Sequence, residues 1–337
     1  MPDTTSDPAA ELARLTDLAT PYAVRAAVTL GLPELLEAGP ASAAQLAKAT
    51  GADQDSLDRL LRYLVAHDVF AAAAPDRYAL NDISRQLVGP DGAPQRAWLN
   101  LSGAGARMDA GYAGLADAVR KGSEGYSSVH GLPLWADLAE RPDLRSGFDD
   151  LMGADTARIA HLLATEYDWT GLGHLIDVGG GIGILLGEIL TTRAHLTGAV
   201  FDLPPATAAA RRRFAAAGLG GRAAAIDGSF FDLIPPGADA YLVSRVLTDW
   251  NDEAAQRILA NCVTAARPGG RVLIVEMLPD DVIADPRSAY DLQMLVVVGG
   301  KLRSTAEFTR LAERAGAVVA GVRRWACGLT VLDCRPS

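Results

Sequence analysis

The segment Leu175-Ile176-Asp177-Val178-Gly179-Gly180-Gly181-Ile182-Gly183 decides how this chain is read. A short apolar run of strand character leads into a cluster of glycines, and an apolar helical stretch, Ile184 to Thr191, follows at once. Strand, glycine turn and helix in that order make a ligand cradle, because glycine lets the chain turn sharply and lets a ligand approach main-chain N–H groups. A dinucleotide fingerprint, G-x-G-x-x-G, is absent. Counted from Gly179 and Gly181 its third glycine falls on Ile184, and counted from Gly181 and Gly183 it falls on Leu186. The spacing present is Asp177-x-Gly179-x-Gly181-x-Gly183. About twenty residues on, Thr197 to Asp202 reads as the next strand, and its terminal acid is placed to accept both hydroxyls of a ribose.

Working outward, the segments His174 to Val178, Thr197 to Asp202, Ala223 to Asp227, Ala240 to Ser244 and Arg271 to Glu276 read as strands separated by helices. Strands alternating with helices of that length imply βαβ units and a parallel sheet. Two further strands, near Val318 to Arg323 and Thr330 to Leu332, lie too close for a crossover helix and are expected as an antiparallel hairpin at one edge. The first third of the chain has a different texture. Leu12, Leu15, Leu18 and Ala19, then Ala26, Leu30 and Leu35, recur at three- and four-residue steps on one helix face. Ser42 to Thr50, the break at Gly51, and Ser56 to Ala66 read as helix-turn-helix, with Asp76 to Leu80 as a short wing strand.

That winged-helix pattern raises DNA binding, and the charges oppose it. Asp53, Asp55 and Asp58 line the leading edge of the second helix against only Arg59 and Arg62, and the chain carries a net charge of -10 with a pI near 5.0. Affinity for phosphate backbones needs clustered Lys and Arg, so no nucleic-acid partner is expected. The apolar first helix has more nonpolar surface than a small domain covers and points to a second copy of the chain, a homodimer. At 337 residues and 49% hydrophobic content the chain can fill more than one core. No apolar run is long enough to span a bilayer and the start Met1 to Asp7 is polar, so a soluble, cytoplasmic protein with no membrane partner is expected. Cys262, Cys327 and Cys334 read as free thiols. Asp249 and Asp252 lack a third ligand, so no metal is expected.

The Asp177 to Gly183 spacing closely resembles the signature of class I S-adenosylmethionine-dependent methyltransferases, whose ligand has a sulfonium and an amino-acid tail but no pyrophosphate. Leu203-Pro204 after Asp202 matches the Asp-Leu-Pro of that family. In Asp227-Gly228-Ser229-Phe230-Phe231, Asp227 or Ser229 is placed to contact adenine and Phe230 to stack beside it. Ser244 and Arg245 complete the expected set for S-adenosyl-L-methionine.

Over nearly its whole length the sequence resembles the O-methyltransferases of plant phenylpropanoid and bacterial polyketide pathways. The matching segments are Ser56 to Arg62, Phe148 to Met152, Asp177 to Gly183, Leu247 to Trp250, Arg267 to Gly270, Asp291 to Met294 and Gly299 to Lys301. The resemblance implies an α/β fold with a winged-helix dimerisation domain over 1–96, a helical linker over 97–166 that walls a substrate cleft, and a Rossmann-like cofactor-binding catalytic domain over 167–337. It also exposes a paired loss. Family members supply a histidine base in Val-Leu-His-Asp-Trp, and here Thr248 stands in its place. The glutamate that orients this histidine, in Gly-Gly-Lys-Glu-Arg-Thr, is replaced by Leu302, whereas the acid Glu276 remains.

Threonine is no base near pH 7, and a phenol of pKa ~10 is mostly protonated there. Three readings follow. The chain O-methylates a small aromatic acceptor through proximity and orientation; it methylates an aromatic carbon or an amine; or it retains the cofactor while catalysing hydroxylation, decarboxylation or a pericyclic step. The resemblance and fold nominate Thr248, Asp249, Glu276, Arg303 and His130, in the loop Gly125 to Pro133, for catalysis. Trp98, Met108, Tyr112, Tyr126, Trp135, Phe148, Met152, Trp250, Asp291 and Met294 are the candidate acceptor contacts.

Overall fold

The computed structural model describes residues 7–266, 269–278 and 288–337. Arg267 and Pro268 of the resemblance, and the start Met1 to Ser6, lie outside the described residues. The chain divides into two compact units at Arg107/Met108. Helix Gly89–Leu99 belongs to the first unit, and helices Leu115–Lys121, Tyr126–His130, Leu134–Glu140 and Pro142–Glu166 belong to the second.

In the first unit, Ser42 caps helix Ala43–Thr50 and Gln45 returns the bond to the Ser42 amide, while Asp53 caps helix Gln54–Ala66. Each cap satisfies N–H groups that the first helical turn leaves without partners. Strands β1 (Ala41–Ser42), β2 (Phe70–Ala74) and β3 (Arg77–Leu80) form an antiparallel sheet in the order β1-β3-β2. Leu32, Leu46, Leu57, Leu61, Leu64 and Phe70 fill the core. Asp53 is engaged as a cap, and Asp58 accepts the Tyr78 hydroxyl at 2.6 Å and pairs with Arg62 at 3.0 Å, so these charges serve the domain itself. Leu12, Leu15 and Leu18 are 62%, 66% and 72% exposed, an apolar face without cover in the single chain.

The second unit is built on a seven-stranded sheet. β4 (His174–Val178), β5 (Thr197–Asp202), β6 (Ala223–Asp227), β7 (Ala240–Ser244) and β8 (Arg271–Met277) run parallel. β9 (Ala317–Arg324) and β10 (Leu329–Pro336) close one edge as the expected antiparallel hairpin, giving the order β6-β5-β4-β7-β8-β10-β9. Successive strand residues serve opposite faces. Ile176, Tyr241, Val243 and Ile274 join one core with Leu259 and Phe308, while Leu175, Leu242, Leu273 and Val275 join another with Leu163, Leu186 and Phe214. Burial on both faces explains why these strands read as nearly continuous apolar runs, each large side chain contributing roughly 1.5–3 kcal/mol. The chain leaves β4 in one direction for β5 and β6 and returns on its other side as β7, so the carboxyl ends of β4 and β7 flank the point where ligands bind in open α/β sheets.

Candidate active site

β4 delivers Asp177 to the edge of this crevice, and the glycine turn follows. Gly179 has φ 71°, and a Cβ there would lie 2.7 Å from Cγ2 of Val246 and 3.4 Å from the Phe230 ring. The loop therefore packs directly on the segment after β7. Gly181 has φ 57° with open space above it, and its N–H donates to Oδ2 of Asp202 at 2.8 Å. The other Asp202 oxygen accepts the Leu203 N–H at 2.6 Å. Burial pushes the Asp202 carboxyl up against the pull of these two bonds. Asp177 is 1% exposed, and neither of its oxygens has a hydrogen-bond partner. Burial, then the neighbouring Asp202, raise it to about 7. Two desolvated carboxylates beside an open glycine turn favour a cationic ligand that supplies N–H or O–H donors.

The neighbouring strand ends carry the next group of residues. Asp227 accepts the Thr207 hydroxyl and Arg211 Nη2, the latter at 2.7 Å, and these bonds hold its carboxyl below the usual range. One oxygen of its half-exposed carboxylate, Oδ1, is thereby tied to helix Pro204–Ala216. Ser229 Oγ accepts the Phe231 N–H at 3.2 Å, and Gly228 packs against the Phe201 ring. Phe230 meets Trp250 edge-on at 5.9 Å.

After Ser244, Arg245 takes φ 56°, a left-handed conformation that non-glycine residues rarely hold. Its N–H donates to the Val275 carbonyl at 2.9 Å, and its guanidinium engages Asp155 and Tyr290. The 3-10 turn Leu247–Asp249 comes next. Thr248 is 4% exposed and lies beside the Glu276 carboxylate, whose ionised form it favours. Glu276 is 3% exposed, its Oε1 has no partner, and burial raises it to about 7 against Thr248, Arg245 and Arg303. Asp249 also rises to about 7, through burial and then the charge of Glu276, with Arg245 opposing.

Arg303 does not reach toward an acceptor. It is 1% exposed, and its donors engage the carbonyls of Leu247 at 2.8 Å, Trp250 at 2.7 Å and Lys301 at 3.2 Å, with Asp252 at 2.9 Å. It is a clamp that holds the turn, because five fixed donors are matched by main-chain oxygens and one carboxylate. From the other side the Lys301 N–H donates to the Thr248 carbonyl at 2.9 Å, and a Cβ on Gly300 would collide with that same oxygen. Leu302 is buried, and its N–H donates to Oδ1 of Asp291 at 2.7 Å, so Asp291 caps a main-chain group with at least one oxygen.

Among the acceptor candidates, Trp135 meets Phe148 edge-on at 5.6 Å and stacks with Trp250 at 6.5 Å. The Trp135 indole Nε1 is buried without a partner. Tyr126 is a core residue whose hydroxyl donates to Asp137 at 2.6 Å, which corrects its assignment as an acceptor contact. His130 ends helix Tyr126–His130 instead of lying in a loop, and its ring sits 4.3 Å from that of Tyr126. Tyr112 donates to the Ala289 carbonyl at 3.3 Å, Met108 and Met294 are buried, and Met152 is half-buried. Trp98 lies in the first unit, on helix Gly89–Leu99. Asp155 and Tyr290 escaped the sequence reading; no local motif marks them, and only the turn at Arg245 gathers them. Among the described residues no His, Cys, Asp and Glu cluster is arranged to hold a metal ion, and no helix is long and apolar enough to cross a membrane.

Comparison with known proteins gives the same reading. The O-methyltransferase domain model matches residues 112–317, and the O-methyltransferase dimerisation domain model matches residues 14–90. The chain is 44% identical over 308 residues to 2,7-dihydroxy-5-methyl-1-naphthoate 7-O-methyltransferase of Streptomyces carzinostaticus, covering 91% of this chain and 92% of that one. It is 39% identical to aclacinomycin 10-hydroxylase of Streptomyces purpurascens, covering 93% and 85%. The crystal structure of an O-methyltransferase from neocarzinostatin biosynthesis, in complex with S-adenosylmethionine and 2-hydroxy-5-methyl naphthoic acid, superposes with a TM-score of 0.90 at 41% identity, covering 97% and 98%. With both domain models matched along one chain and such relatives aligned end to end, this protein belongs to the O-methyltransferase family, and it carries that family's dimerisation domain.

Proposed function

We propose that the chain methylates a hydroxyl of a small, hydroxylated aromatic acceptor of bacterial secondary metabolism, with S-adenosyl-L-methionine as methyl donor. The observation that carries this reading is the pairing, at the β4/β7 crevice, of an unpartnered buried Asp177 and a loop-bound Asp202 around an open glycine turn. Those groups fit the donor: Asp177 and Asp202 suit its positive charge and its hydroxyl and amine donors, and Gly181 leaves main chain open beside them. Phe230, held against Trp250, is the remaining wall of that site. The donor supplies a methyl group already activated by a sulfonium. The chain's own residues then orient the acceptor and exclude water. Trp135, Phe148 and Trp250 offer aromatic faces to a planar ring, and the Trp135 N–H offers a donor to one of its oxygens. Orientation alone can supply roughly 7–11 kcal/mol of a barrier.

Residues 1–96 pair two copies, with the exposed Leu12, Leu15 and Leu18 at the contact, and the protein acts in the cytoplasm, where free Cys262, Cys327 and Cys334 stay reduced. Incubation with methyl-labelled S-adenosylmethionine and 2,7-dihydroxy-5-methyl-1-naphthoate tests the reaction, with labelled O-methyl product expected. Label transferred to ring carbon or to nitrogen would replace the hydroxyl acceptor. A second reading, a cofactor-retaining enzyme that adds no methyl group, is favoured by the likeness to a hydroxylase together with Thr248 in the turn. It predicts turnover of an aclacinomycin-like acceptor without the mass of a methyl group.

A further inference from the structure

The indole of Trp135 breaks a rule that its counterparts keep. Trp169 donates its ring N–H to the Leu163 carbonyl at 3.2 Å, and Trp325 donates to Oε2 of Glu166 at 2.8 Å. Nε1 of Trp135 is buried and has no partner. Among the described residues it is the one buried side-chain donor in that state; the other such atoms are carboxylate oxygens. A buried N–H kept only for packing is normally matched by an acceptor, since leaving the bond unmade is destabilising.

A row of rings ties this donor to the cofactor turn. It starts at Gly179, where a Cβ would lie 3.4 Å from the Phe230 ring. Phe230 and Phe231 meet Trp250 edge-on at 5.9 Å and 4.7 Å. Trp250 faces Trp135 at 6.5 Å with the two planes 19° apart, and Phe148 stands edge-on to Trp135 at 5.6 Å. The arginines nearest to Trp135 and Phe148 in the chain are already paired, Arg141 with Asp137 at 2.9 Å and Arg145 with Asp149 at 2.8 Å. At this end of the aromatic row the donor left without a partner is the indole.

We propose that Trp135 sets the specificity of the acceptor site: its N–H donates to a carbonyl-type oxygen, of a carboxylate, ester or ketone, which the acceptor carries besides the hydroxyl to be methylated. This rests on the methyl-transfer reading and narrows its acceptor from any hydroxylated aromatic to one bearing that second oxygen. An indole N–H only donates, so its partner must accept, and an sp2 oxygen accepts near the plane of its own substituents. Apolar ring faces hold a flat molecule but leave it free to turn in its plane. One bond to an oxygen on its edge stops that turning, and so decides which hydroxyl meets the methyl donor.

The first test reads no turnover. With S-adenosylhomocysteine bound, the indole N–H proton resonance of Trp135 is followed as acceptor is added, assigned among the five tryptophans by its loss in Trp135→Phe. 2,7-Dihydroxy-5-methyl-1-naphthoate and its methyl ester should each move it downfield. The same naphthalenediol without the carboxylate, held by the same rings, should not. The second test is kinetic, since Trp135→Phe keeps an aromatic face and removes the N–H. Relative to its effect on the plain diol, the substitution should lower kcat/KM by a further factor of about 10–100 for the carboxylate and about 3–10 for the ester. The larger factor identifies the kind of oxygen for which the site is built. The variant should also spread methylation over both hydroxyls of the naphthoate where the wild type favours one. A resonance that responds alike to all three compounds, an equal loss on the plain diol, or wild-type regioselectivity in the variant would each overturn the assignment. A wild type whose resonance moves as expected, yet which forms no S-adenosylhomocysteine from S-adenosylmethionine with any of them, would sink methyl transfer and leave the oxygen contact standing.

Discussion

Replacing Asp177 with asparagine should stabilise the ligand-free protein at alkaline pH while weakening its cofactor site. Asp177 is buried, neither oxygen has a partner, and its carboxyl moves from an ordinary 3.8 to about 7. Between those values the folded state holds a proton that the unfolded chain has lost, so stability falls as pH rises through the window. At about 1.4 kcal/mol per pH unit the full interval amounts to roughly 4 kcal/mol. Relaxation and water penetration reduce this, and about 2–4 kcal/mol is the expected order. Asparagine keeps the shape without the charge. Urea unfolding of ligand-free wild type and Asp177→Asn should therefore diverge with pH, similar near pH 4 and with the variant ahead by about 2–4 kcal/mol near pH 8. Calorimetric titration with S-adenosylhomocysteine should show the variant binding about 10- to 100-fold more weakly, the value of a hydrogen bond to a charged group. A stability difference that stays constant from pH 4 to 8, or a variant less stable at pH 8, would refute the assignment of Asp177 as a carboxylate held unsatisfied for a ligand.

Arg303→Met should cost about 3–5 kcal/mol, because it strands the carbonyls of Leu247, Trp250 and Lys301 and the carboxylate of Asp252, and thermal unfolding checks it. Gly300→Ala should cost about 1–3 kcal/mol and lower kcat, since the new methyl forces the Thr248 carbonyl to move; an unchanged kcat would place Thr248 outside the chemistry. The pair Leu15→Glu and Leu18→Glu should shift the protein from dimer to monomer in light scattering with its circular dichroism intact. A dimer that survives both charges would move the contact off this face.

Much of the sheet was legible because parallel strands buried on both faces must be apolar throughout, and the bounds of β4, β5 and β7 coincide with those runs. β2 was not. Its Ala71 to Ala74 carry no strand preference, and they are extended because β3 pairs with them across an irregularity between Ala72 and Ala74. In the site, Asp177, Gly181 and Asp202 could be placed from spacing, since neighbouring strand ends bring them together. Asp227 and Arg303 could not be assigned from charge alone, because what a charged side chain does depends on its partners. Those partners, Arg211 for one and the main chain of residues 247–250 for the other, appear only in three dimensions. Arg245 is the extreme case: its left-handed backbone and its link to Asp155 across ninety positions of sequence leave no local trace.

The turn Leu247–Asp249 is held almost wholly from outside itself. Arg303 grips the carbonyls before and after Thr248, Lys301 grips the Thr248 carbonyl, and Gly300 leaves room for both strands of chain to meet. None of these bonds asks anything of the side chain at 248. The position is thus a socket whose main chain is fixed by its neighbours, so the side chain at 248 can be exchanged without the turn being rebuilt.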